Sequence, residues 1–394
     1  MIPTFSSRIN QEPTSLDALF ALSGRADLIS FAGGYPDPAL FPKKELNNAF
    51  ENRIKKSSSE IFQYRSILGY EPLRKRIANY AETTGITCQP ENIMLTQGAQ
   101  QGIKLLAGLF LDDFDGVVVE APTYAGGLEA FNDHKPTYYE IPMEDDGMNI
   151  DILEKTLEEN NVKLIYTIPN FQNPTGYCMS IEKRKRLAKL ASKHNVMVIE
   201  DDPYRELRYT GNALPSIKSF DLTENVVTLG SFSKILSPAL RCGWLIGAKE
   251  IVDQLSSLRL SYDCQSSNIL LEGIDEYLDH NDIATHISKL RDVYQHKMNA
   301  MLTSLSENLP AECSFSKPTG GFFIWVNLPE SLDARELLNE TRKVTFLEGS
   351  SLFATSKETN HLRLNFTGIT EKQIKEGCID LGNTIKHALL SLAI

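Results

Sequence analysis

Six short apolar runs recur along the first two-thirds of the chain, and most are followed by turn residues and a helical pattern. They are Ile93–Thr96, Val117–Glu120, Leu164–Ile168, Val196–Glu200, Val226–Leu229 and Trp244–Gly247. Helical patterns follow Gly98 and Tyr124, and Glu182–Lys193 precedes the fourth run. Runs that are apolar throughout belong to strands buried on both faces. Alternation with helices predicts an α/β fold with a mostly parallel central sheet. In such sheets ligands bind beyond the carboxyl ends of the strands, so the residues just after each run are the first place to look for chemistry.

The chain's 394 residues exceed one core of ordinary size and predict a large domain plus a smaller one. Beyond Leu260 the pattern changes to long helices up to about Leu309. Two alternating runs follow, Gly321–Val326 and His361–Phe366, and then a last helix over about Glu371–Leu392. This predicts an α+β domain at 286–394, a large domain at 41–285, and an amino-terminal segment, 1–40, packing with the small domain. Ser15–Leu22 suits a short helix and Leu28–Phe31 a short strand. A formal net charge of −11 argues against nucleic acid or an anionic membrane as partner. Lys183-Arg184-Lys185-Arg186 sits in a helical pattern and reads as a solvated face. No stretch has the length of a membrane span or of a signal peptide's apolar core. Six cysteines without a zinc-like spacing read as reduced thiols, and the expected location is the cytoplasm.

The residues after the runs are individually weak signals. Gly98-Ala99-Gln100 opens a helix whose free backbone N–H groups suit an anion. Tyr124 could lie against a flat ring. Asn173, before Pro174, is biased to an extended backbone and could present its amide as a fixed donor. Asp201, if buried, needs a cation, and a protonated heterocyclic nitrogen is one. Ser231, Ser233 and Arg241 suit a phosphate, and Lys234 among them is placed as a Schiff-base nucleophile. Singly, each has an ordinary explanation, such as a turn, a core aromatic or a surface lysine. Their succession after consecutive strands does not.

With Phe31-Ala32-Gly33-Gly34, Gln63-Tyr64, Asn173-Pro174-Thr175-Gly176, Tyr204 and Leu362-Arg363-Leu364, the chain resembles the class I/II aminotransferases of fold type I, from about Ser30 to the C-terminus. It looks closest to the 2-aminoadipate and kynurenine aminotransferase branch. The resemblance implies pyridoxal 5′-phosphate as cofactor, attached to Lys234 as an aldimine, with Lys234 also the proton shuttle. Asp201 would pair with the ring nitrogen, Asn173 and Tyr204 with the ring oxygen, and Tyr124 would stack. Gly98, Ala99, Gln100, Ser231, Ser233 and Arg241 would hold the phosphate. Tyr64, or the nearby Tyr70, would reach the phosphate of the neighbouring subunit in a homodimer with shared sites. Arg363, with Asn173 and the backbone at Gly34, would clamp the substrate carboxylate, and 2-oxoglutarate would be the usual acceptor. No metal is implied.

One departure bears on specificity. Some 2-aminoadipate-type relatives bind the distal carboxylate with an arginine in the amino-terminal helix. An ungapped alignment from Gly33-Gly34 puts Asp17 there, leaving Arg25 as a substitute. Aromatic, branched or other apolar donors are thereby favoured. Lyases and decarboxylases share the scaffold, as do regulators carrying a basic DNA-binding domain, which the acidic charge argues against.

Overall fold

The computed structural model describes residues 28–392. Strands β1 (Ile29–Ser30), β2 (Ile93–Thr96), β3 (Gly116–Ala121), β4 (Thr137–Glu144), β5 (Gly147–Met148), β6 (Val162–Thr167), β7 (Met197–Asp201), β8 (Val226–Ser231) and β9 (Gly243–Ile246) occupy the first part of the chain. All but β1 form one eight-stranded sheet in the order β2-β9-β8-β7-β6-β3-β4-β5. The middle, β8 to β4, is parallel as predicted. β9 runs antiparallel to both neighbours, and β5 forms a hairpin with β4.

Both faces of the sheet are covered. Val117, Val119, Ile199 and Val227 belong to one buried cluster, and Val118, Ile165, Val198 and Val226 to another. This two-sided burial is why the strands read as unbroken apolar runs.

Strands β10 (Ser314–Phe315), β11 (Phe323–Asn327), β12 (Val344–Thr345), β13 (Leu347–Glu348) and β14 (His361–Asn365) follow the long helix Ile283–Asn308. Four of them form an antiparallel sheet, β10-β11-β14-β13, while β12 pairs with β1 in parallel. The start of the described chain is thus part of the carboxyl-terminal layer. The last helix, Glu371–Leu392, packs on Ile283–Asn308. The predicted boundary at 285/286 falls inside the first turn of the latter.

The two sheets meet beside β3 and β4. Thr123 N donates to Leu352 O at 2.8 Å. The Glu140 carboxylate accepts from Ala354 N, Thr355 N and Ser356 N, and from the Thr355 and Ser356 hydroxyls. These donors hold Glu140 below its ordinary pKa although burial alone would raise it.

The basic run 183–186 corrects the sequence reading. Lys185 and Arg186 are solvated, but Arg184 is fully buried. Its guanidinium donates to Met179 O, Pro215 O, Pro169 O and Asn170 Oδ1, and so locks the loop after β6 to the helix Ile181–His194. The suggested helix at 15–22 lies outside the described residues. No helix among the described residues is long and apolar enough to cross a membrane.

Candidate active site

A cavity of about 530 Å³ opens at the carboxyl ends of β3, β6, β7 and β8, and the second sheet closes one wall through Phe323 and Arg363. Gly34, Ala99, Gln100, Tyr124, Asn173, Asp201, Tyr204, Ser231, Ser233, Lys234, Arg241 and Arg363 all line it. The sequence-predicted residues, scattered over more than 300 positions, therefore converge. Gly98 stands behind Arg241. Tyr64 does not line the cavity: it is 79% exposed on the stretch before the helix Glu71–Glu82.

Gly98 caps the helix Ala99–Phe110 at φ 81°, a left-handed conformation natural to glycine. A Cβ there would stand 2.7 Å from Arg241 Nη2. Arg241 Nη2 donates to Gln97 O at 2.7 Å, so the guanidinium is drawn against the helix start. The first-turn N–H groups lack intrahelical partners. With Ser231 and Ser233, whose hydroxyls are 2.9 Å apart, they make a pocket of donors suited to a phosphate. Tyr124 precedes the helix Ala125–Phe131, and its ring needs the absent side chain of Gly126, whose Cβ would come within 2.4 Å.

Lys234 Nζ donates to Gly34 O at 2.8 Å. Burial, then the positive charges of Arg363 and Arg241, lower its pKa to about 8, while Asp201 partly opposes them. Asp201 closes β7 and is buried. Burial raises its pKa to about 7, tempered by a hydrogen bond from the Tyr166 hydroxyl to Oδ2 at 2.7 Å. Its other oxygen, Oδ1, has no partner among the described residues.

Arg363, on β14, is buried with its guanidinium 4.3 Å from the Phe323 ring centroid. Nη1 donates to Asn173 Oδ1 at 2.8 Å and Nη2 to Ala32 O at 2.6 Å, while Nε has no partner among the described residues. Burial lowers its pKa to about 10. Since Asn173 spends its oxygen on Arg363, its amide nitrogen is the end left to donate. The stretch that offers Ala32 O and Gly34 O is itself braced. Asn365 N donates to Phe31 O at 2.8 Å, Thr367 Oγ1 to Tyr35 O at 2.6 Å, and Lys297 pairs with Asp37 at 2.7 Å.

Three groups escaped the sequence reading. The Ala32 carbonyl carries no residue-type signal. Phe323 sits in an apolar run that looks like core. Tyr166 alone left a trace, as the one aromatic in Leu164-Ile165-Tyr166-Thr167-Ile168.

The sequence profile of the family described as "Aminotransferase class I and II" matches residues 32–381. The chain belongs to this family. The aminotransferase is 36% identical over 389 residues to aromatic-amino-acid aminotransferase 1 of Thermococcus litoralis, covering 97% of this chain and 93% of that one. It is 34% identical to the 2-aminoadipate transaminase of Thermus thermophilus, over 96% and 95% of the two chains. The crystal structure of Pyrococcus horikoshii kynurenine aminotransferase superposes with a TM-score of 0.93 at 37% identity, covering 98% of this chain and 97% of that one. The fold is accordingly that of the fold type I enzymes, and the cofactor is pyridoxal 5′-phosphate.

The residues present fit that cofactor. A buried carboxylate oxygen without a donor is costly, and Asp201 Oδ1 is such an atom at the cavity wall. A ring N–H meets that need. Around it the chain offers a depressed lysine, a flat wall at Tyr124 and a donor pocket at Gly98–Gln100 for the phosphate.

Proposed function

We propose that the aminotransferase moves the amino group of an α-amino acid with an aromatic, branched or otherwise apolar, or 2-aminoadipate-like side chain to a 2-oxo acid, 2-oxoglutarate being the acceptor. The reaction would take place in the cytoplasm, within a homodimer whose subunits share sites. The observation that favours the aromatic and apolar donors within that range is the count of cations. Among the described lining residues these are Lys234, Arg241 and Arg363. Arg241 faces the phosphate pocket and Arg363 the substrate carboxylate. Among the described lining residues no further cation is left for a donor's distal carboxylate, which weighs against the 2-aminoadipate-like end of the range, and the remaining walls include Ile103, Tyr124, Ile168 and Phe323. Asp17 and Arg25 lie outside the described residues.

The bound cofactor supplies a protonated ring that withdraws electrons from the substrate Cα. The other tasks fall to the chain. Lys234 is the covalent attachment point. Once a substrate amine replaces it, the free amine moves a proton to and from Cα, for which a pKa near 8 is suited. Asp201 holds the proton on the ring nitrogen through Oδ1. Asn173 and Tyr204 donate to the ring oxygen, and Tyr124 covers one ring face. Gly98, Ala99, Gln100, Ser231, Ser233 and Arg241 hold the phosphate, joined by Tyr64 of the neighbouring copy. Arg363, with Asn173 and the Gly34 backbone, orients the substrate so that its Cα–H faces Lys234. In this reading 41–285 is the large cofactor-binding domain and 286–394 the small carboxyl-terminal domain, with the segment 1–40 packing with the small one.

A panel of amino donors against 2-oxoglutarate tests this reading. Keto-acid formation from apolar donors, strictly dependent on added 2-oxo acid, is expected. Product without an acceptor would instead indicate a lyase or decarboxylase.

A further inference from the structure

The reading above gives Tyr166 no task, yet among the described residues its hydroxyl makes the one hydrogen bond to Asp201's side chain. Tyr166 on β6 is paired with Ile199 on β7. Side chains alternate along a strand, so Asp201, two residues beyond Ile199, shares its face with Tyr166. Only a long side chain spans that diagonal. The ring has little freedom. Phe131 packs edge-on at 5.6 Å, and a Cβ on Gly127 would stand 2.8 Å from Tyr166 Cε1. Both the phenol and the carboxylate are buried.

We propose that Tyr166 is a positioning residue for the cofactor: by holding Asp201 Oδ2 it fixes the carboxylate plane and leaves Oδ1 as the sole acceptor for the ring nitrogen. The inference rests on Asp201 being the partner of that nitrogen. The phenol, as donor to Oδ2, makes that oxygen the less basic of the two. Any proton the pair acquires lies between Oδ1 and the ring. Without the hydroxyl the carboxylate is buried with no donor of its own, is free to turn about Cβ–Cγ, and has two equivalent oxygens to protonate.

The test compares cofactor-free wild type with Tyr166→Phe, which keeps the ring and its contact with Phe131. Dissociation constants are measured by titration for pyridoxal 5′-phosphate and for its 1-carba analogue, in which C–H replaces the ring nitrogen. Tyr166→Phe is expected to weaken pyridoxal phosphate roughly tenfold, in line with loss of one hydrogen bond to a charged group. It is expected to leave the analogue within about twofold, since the analogue has no nitrogen to position. Equal loss for both ligands would reduce Tyr166 to packing, and no loss for either would remove its role; each overturns the proposal alone. Asp201→Asn is expected to erase wild type's preference for the nitrogen-bearing ligand. Its persistence would overturn the reading of Asp201 first.

Discussion

At the scale of single residues the site is a set of charges held in unfavourable surroundings. Lys234 is the clearest. Its pKa falls from 10.5 to about 8 in the fold, so between those values the unfolded chain binds the proton and the folded chain does not. Stability then rises with pH, and the full penalty, about 3 kcal/mol, is present below pH 8. Lys234→Met is therefore expected to abolish transamination while stabilising the cofactor-free protein at pH 7. The gain should shrink as pH rises from 8 towards 10.5, as read by urea unfolding. Arg363 poses a different problem, one of shape. Its two terminal nitrogens point at different partners, Asn173 and Ala32, which a single ammonium cannot reproduce. Arg363→Lys should raise KM for the amino donor at least tenfold and change kcat less, in steady-state kinetics with one fixed acceptor.

At the scale of elements, the sequence was most legible where burial is two-sided. β2, β3, β6, β7 and β8 read as unbroken apolar runs, and the polar residues after them are the cavity residues. β4 was not legible. Thr137–Glu144 buries only Ile141 fully and contains Pro142, so it lacks both an apolar run and clean alternation. Arg184 was misread for a related reason: a basic run looks solvated, and only the tertiary path of the 169–179 loop, with Pro215 beside it, shows four acceptors waiting for one guanidinium. The link between Tyr166 and Asp201 depends on strand register, which residue types do not encode. Gly98 was legible as a helix opener, but its tight contact with Arg241 was not. Gly98→Ala adds a side chain at positive φ and 2.7 Å from Arg241. It should cost about 1 kcal/mol or more in stability and weaken pyridoxal phosphate binding at least tenfold, measured by titrating the cofactor-free variant.

At the scale of the whole molecule, two segments tied to each other carry large exposed apolar side chains. Phe62, Tyr64, Leu260 and Tyr262 are 67%, 79%, 55% and 56% exposed. The segments that bear them are tied together by Arg65 N to Gln265 Oε1 and Asn268 Nδ2 to Gln63 O. Large side chains gathered on one exposed face mark an interaction surface, and Tyr64 is the residue expected to cross to a neighbouring phosphate. Sedimentation should give twice the 44.1 kDa chain mass. Phe62→Asp with Tyr262→Asp should shift it towards the monomer and weaken cofactor binding with it. A wild-type monomer that retains full activity would refute the shared site.

Both key cations rest on partners far away along the chain. Lys234 stands on the eleven residues that join the paired strands β8 and β9, yet its amine donates to Gly34, 200 residues away. Arg363 leans on Asn173 and Ala32, 190 and 331 residues away. Closing loops of that length costs chain entropy that near neighbours never meet. The cofactor lysine is thus carried by a local loop but oriented through one distant contact, and the substrate clamp exists only after the beginning, middle and end of the polypeptide have met. Recognition of an amino acid doubles as a proofreading of the fold: a chain that has not finished folding can own its lysine and still have nothing with which to hold a substrate.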